Sequence, residues 1–187
     1  MDLLQLPTNQ LTGAVLLALI AAAIKFFYDG WAARRSNRLR RLDRQLELFY
    51  GPLFALSHAA NEAWRAFREI HRPGMGSYWG NPLNPPSEAE ATAWRLWMRE
   101  VFMPLNERME RVITEHADLL EESFLPQPLL DLCSHVEAYR GVMKQWDSGD
   151  FSRHVSVLNY PNSLATYVQK SYIELKAQQA ALTRAGA

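Results

Sequence analysis

The sequence predicts an all-α protein: an N-terminal transmembrane helix, then a long antiparallel helical hairpin and two shorter helices forming a four-helix-bundle-like domain. Three observations predict it. An uninterrupted apolar run stands near the N-terminus. Side chains from Leu39 to Ile70 recur at helical spacing, and a Gly/Pro-rich stretch closed by a Ser-x-x-Glu cap separates that repeat from a second amphipathic one.

The apolar run is Leu11 to Tyr28, LTGAVLLALIAAAIKFFY, with Lys25 as its one charge. At about 1.5 Å per residue it covers roughly 27 Å, close to the thickness of a bilayer's hydrocarbon core. A cleavable secretory signal would carry positive charge ahead of the run, where only Asp2 stands. The charge follows instead: Arg34, Arg35, Arg38, Arg40, Arg41 and Arg44 crowd into eleven residues whose one acid is Asp43. By the positive-inside rule this flank stays in the cytoplasm, leaving the short N-terminus outside. The expected location is therefore the cell (inner) membrane, crossed once. Lys25 can snorkel to the headgroups, Phe26, Phe27, Tyr28 and Trp31 make an interfacial belt, and Arg34, Arg35 and Arg38 are the expected lipid-facing cations.

The expected divisions are a short extracytoplasmic N-terminus (1–10), the anchor (11–28), a basic juxtamembrane helix (29–45), a cytoplasmic helical bundle (46–183) and a disordered tail (184–187). The first cytoplasmic stripe is Leu39, Leu42, Leu46, Phe49, Leu53, Leu56, Ala60, Ala63, Phe67 and Ile70, a heptad-like seam on a helix continuous with the anchor. Gly51-Pro52 interrupts it, since proline removes one backbone bond and bends the axis. Residues 72–86, RPGMGSYWGNPLNPP, cannot continue a helix and form the distal loop. Met75, Tyr78 and Trp79 there are the candidate docking residues; the competing reading folds Tyr78 and Trp79 back as a cap on the hairpin.

Ser87-Glu88-Ala89-Glu90 is a capping box that opens the second helix, whose stripe reads Trp94, Met98, Val101, Leu105, Met109, Val112, His116, Leu119 and whose bend is Pro104. Counted from the loop, Pro52 and Pro104 should sit nearly level. After Leu125-Pro126-Gln127-Pro128 a third helix is lined by Leu129, Leu132, Cys133, Val136, Tyr139, Met143 and Trp146. Residues 151–160 read as extended chain, and a fourth helix is lined by Leu164, Val168, Ser171 and Leu175. Being shorter, the last two helices should cover the membrane-proximal half of the hairpin and leave the distal half less covered.

Composition narrows the function classes. The chain is 48% hydrophobic and 21% charged, with zero net charge. The zero divides unevenly, and from Gln45 onward 13 basic residues face 17 acidic ones, so no nucleic-acid partner is expected. One cysteine, Cys133, excludes an intrachain disulfide framework and a multi-cysteine zinc cage. The chain lacks the Glu-x-x-His of di-iron bundles, the Gly-x-Ser-x-Gly elbow and His-Glu-x-x-His, so no metal or cofactor is expected.

HEPN-type ribonucleases carry Arg four to six residues before His, and two stretches fit: Arg65 to His71 and Arg111 to His116. With 16 arginines and five histidines, roughly 1.3 such matches arise by chance. Ala66 and Val112 stand where those nucleases usually show a polar residue. The leading expectation is a non-enzymatic, membrane-anchored scaffold, adaptor or complex subunit whose partners are membrane lipid and another protein or itself. A membrane-tethered nuclease or toxic effector and a coiled-coil homodimeric transmembrane sensor are the alternatives.

Overall fold

The computed structural model describes residues 8–75 and 78–185, and every regular element in them is helical. Most of the N-terminal segment 1–10, residues 1–7, falls outside that range, as do Ala187 and its neighbour in the expected tail.

The first rod is unbroken: α1 (Thr8–Arg44), a π turn (Gln45–Tyr50) and α2 (Gly51–His71). The proline that should interrupt it is absorbed by that turn. Pro52 occupies the first turn of α2, where a missing N–H costs little, and the Gly51 N–H reaches back five residues to the Leu46 carbonyl. Widening the turn presses that carbonyl onto Gly51, where a Cβ would stand 2.3 Å from the oxygen. Only glycine fits there.

The second rod repeats the device. It comprises α3 (Glu88–Trp97), a π turn (Met98–Phe102) and α4 (Met103–Glu115), with the Met103 N–H on the Met98 carbonyl and Pro104 in α4's first turn. The predicted capping box is present: the Glu90 amide donates to Ser87 Oγ at 3.3 Å and the Ser87 amide to Glu90 Oε2 at 2.7 Å. After a 3₁₀ turn (Ala117–Leu119) come α5 (Gln127–Asp147) and α6 (Leu164–Arg184).

A π turn inserts one residue, so it shifts the buried face of everything after it. On the second rod the predicted stripe holds at Trp94, Met98 and Met109. Phe102, Met103, Asn106 and Ile113 are buried in place of Val101, Leu105 and Val112, and His116 lies half-exposed at the end of α4. On the first rod the stripe from Leu42 to Phe67 is buried except at half-buried Ala63, and it is widened, with Gln45 beside Leu46 and Tyr50 beside Phe49; Ile70 is exposed. The α6 stripe is buried at Leu164, Val168, Ser171 and Leu175 as expected. On α5, His135 and Val142 are buried while Cys133 and Met143 are only half-buried.

Two expectations about the hairpin are corrected. Phe102 lies abreast of Trp64 and Phe67, at ring separations of 6.0 and 5.7 Å, and Trp97 lies 6.3 Å from His71. Pro104 is therefore level with the middle of α2, and Pro52 sits about ten residues, roughly 15 Å, nearer the anchor. The prolines are staggered because α3 overhangs the end of α2 by about three turns.

The distal half is also covered. Residues 148–163 run as an irregular strap whose carbonyls accept from helix side chains: Arg153 from Trp146 Nε1 at 2.7 Å, His154 from Trp94 Nε1 at 2.8 Å, and Leu158 from His135 Nδ1 at 2.7 Å. Buried ring N–H donors need acceptors, and an irregular segment offers its own unpaired carbonyls.

Candidate membrane interface

Among the described residues one helix is long and apolar enough to cross a membrane, and none of its apolar window is buried by them. Ten large side chains from Val15 to Trp31 stand open, Leu17 at 69% and Phe26 at 75% exposure among them. Full burial of such a side chain is worth about 1.5–3 kcal/mol, so covering ten half-open ones contributes on the order of 10 kcal/mol. That is of the same order as a whole domain's net stability, so an apolar cover for this surface would contribute substantially. Lys25 Nζ donates to Asp29 Oδ2 at 2.8 Å, one turn on, so the two charges of the segment pair with each other. The belt residues Phe26, Phe27, Tyr28 and Trp31 all point outward.

The arginines below the belt divide by role. Arg34 is exposed. Arg35 lies over the Trp31 ring at 5.9 Å and grips the end of α6, its Nε and Nη2 donating to the Leu182 carbonyl at 3.1 and 2.5 Å. A guanidinium suits that place, where the last carbonyls of a helix lack partners and carry its negative dipole end. Arg38 Nη2 donates to Gln178 Oε1 at 3.3 Å, and Gln179 Nε2 donates to Asp43 Oδ1 at 2.6 Å. Packing of the bundle thus begins at Arg35, not at residue 46, because α6 is long enough to reach back along α1. Arg35 is a clamp within the fold, not solely a lipid-facing cation.

Below it, the 117–125 connection is held against the first π turn. Gln45 Nε2 donates to the Leu119 carbonyl at 2.8 Å, Arg41 Nη2 to that of Leu120 at 3.3 Å, and Arg44 lies 3.7 Å from Asp118. Tyr167 donates to Glu122 Oε1 at 3.1 Å, with Tyr50 on the other carboxylate oxygen at 3.5 Å. Burial raises the pKa of both phenols, so they stay neutral donors.

The structure withdraws Tyr78 and Trp79 as docking residues. Tyr78 is buried between Phe67 and Trp94, and its hydroxyl, pushed up to about 12 by burial first and the Glu90 carboxylate second, donates to the Glu90 carbonyl at 2.8 Å. Trp79 stacks on His154 at 4.6 Å. Met75 is half-buried, its sulfur 3.9 Å from Asn84 Nδ2. The loop folds back because Arg72, buried and unremarked in the sequence, donates to the carbonyls of Tyr78 and Asn84 at 2.6 Å each and lies 3.5 Å from Glu90. An arginine ending a helix gives no sequence signal for this, since its acceptors are set by the path of the loop.

The Arg/His pairs do not converge into a cleft. Arg65 is exposed and paired with Glu62, while His71, on another face, lies against Phe67 at 4.8 Å. Arg111 points to solvent from α4, and His116 caps that helix five residues on. Among the described residues no group of three or more His, Cys, Asp or Glu could hold a metal ion. From Leu42 to Phe67 the heptad seam packs against the chain's own α4 and α6, while Ile70 at its end stays exposed.

Neither a protein-family model, nor a curated protein, nor a solved structure matches the chain.

Proposed function

We propose that the protein is a single-pass, membrane-anchored helical scaffold or complex subunit, with its N-terminus outside and its bundle in the cytoplasm. The uncovered apolar face of α1 carries this reading, because an exposed helix of that length and composition requires lipid or an equivalent apolar cover. Orientation follows from the arginines, all six of which lie on the bundle side of the apolar run. The rigid continuation of α1 through a π turn into α2 supports a platform held upright at fixed distance from the bilayer.

The reading is tested by tandem purification of the full chain from native membranes in mild detergent, with mass spectrometry of what co-elutes. A stoichiometric second protein supports the subunit role. Recovery of the chain alone, across several detergents and as a monomer, contradicts it.

A further inference from the structure

Arg34, Arg38, Arg41 and Gln45 fall on one face of α1 and its π turn, at offsets of zero, four, seven and eleven residues. Below Arg34 this face becomes one wall of a groove of about 430 Å³ whose lining includes Arg38, Arg41, Leu42, Gln45, Glu121 and Gln178. The opposite walls are the end of α6 and the connection after α4, held by Gln45 on Leu119 and Arg41 on Leu120. The contacts of Arg38 and Arg41 are single and long, 3.3 Å each, which leaves most of both guanidinium forks free. Set against Glu121, the groove carries one net positive charge, and Arg34 above its mouth adds a second.

Its height is fixed by α1. Arg34 lies about 5 Å, Arg38 about 10 Å and Arg41 about 15 Å beyond Trp31, whereas the headgroup layer on each side of a bilayer is roughly 5–7 Å deep. The mouth of the groove therefore opens just beyond the headgroups, with Arg38 nearest them, and side chains on a helix lean toward its N-terminal end, here the membrane. Guanidinium forks match phosphate oxygens in pairs. We infer that this groove binds the phosphate of an anionic phospholipid from the adjacent leaflet, through Arg38 and Arg41 with Arg34 at the entrance. The inference rests on the membrane-anchored reading and names a lipid class for it.

The test uses the full chain in nanodiscs of phosphatidylcholine with or without phosphatidylglycerol, with mass spectrometry of the lipid retained after transfer to detergent. Wild type is expected to retain phosphatidylglycerol in preference to phosphatidylcholine. An Arg38→Gln, Arg41→Gln double variant should lose about 30-fold of that preference. Gln178→Glu keeps both arginines but places a carboxylate in the groove wall, and should lose the preference while its helical circular dichroism and melting match wild type.

No preference in wild type, or a preference unchanged in both variants, would overturn the inference. Binding of soluble glycerol 3-phosphate as tightly as the lipid would make a free phosphate ester the ligand and overturn the lipid assignment. Alkaline carbonate extraction separates the two levels. Release of wild type into the soluble fraction sinks the anchored reading itself, while retention without lipid preference sinks this inference alone.

Discussion

Phe67 is the residue on which the distal core turns. It is wholly buried and touches the rings of Trp64, Tyr78, Trp94, Trp97 and Phe102 at 4.8–5.8 Å. Phe67→Ala should destabilise the chain by about 3–5 kcal/mol, read as a fall in thermal midpoint in detergent. A loss below 1 kcal/mol would mean this aromatic cluster is not packed as described.

His135 gives a pH-dependent counterpart. Burial, the larger influence, depresses its pKa against the opposing effect of its bond to the Leu158 carbonyl, so the folded state holds it neutral. The folded state binds fewer protons than the unfolded one between the lowered pKa and about 6.5. Stability should therefore be full above that window, fall as pH drops through it, and lose nothing further from this group below it. His135→Asn keeps a donor for Leu158 but cannot titrate, and melts recorded from pH 7.5 to 5 should show a shallower decline than wild type.

Residue burial was legible where helical phase was regular, as along α6. The fate of Tyr78 and Trp79 was not, since loop composition suits a docking tip and a cap equally and the buried Arg72 decides between them.

At the scale of the element, helix boundaries were readable because their signals are local. The Ser87 capping box and the prolines of the breaks act within one turn of chain. The π turns were not readable. A proline announces a missing backbone bond but not whether the helix kinks or inserts a residue, and the insertion after Met98 is what moved Phe102 and Ile113 into the core.

Gly51 isolates the first turn's geometry. In a helix exposed to solvent Gly→Ala gains about 1 kcal/mol, yet here the new Cβ would stand 2.3 Å from the Leu46 carbonyl oxygen. Gly51→Ala is expected to destabilise by about 1–3 kcal/mol, in the range of an overpacked site. A variant more stable than wild type would mean that no π turn is present.

For the molecule as a whole, the apolar run, the charges after it and the all-helical architecture were legible together, since each spans many residues and no single contact decides it. The staggered prolines and the strap over the distal half were not, because both depend on where separate elements meet.

The central claim, an anchor across the membrane with the bundle on the side of the arginines, is tested most directly by labelling one engineered cysteine. Leu83 is 94% exposed on the distal loop, and Cys133 is the one native thiol. Leu83→Cys in a Cys133→Ser background, treated with a membrane-impermeant maleimide, should remain unlabelled in intact cells and label fully once they are permeabilised, while the chain stays in the membrane pellet through carbonate extraction. Labelling in intact cells would reverse the orientation, and release from the pellet would contradict the anchor.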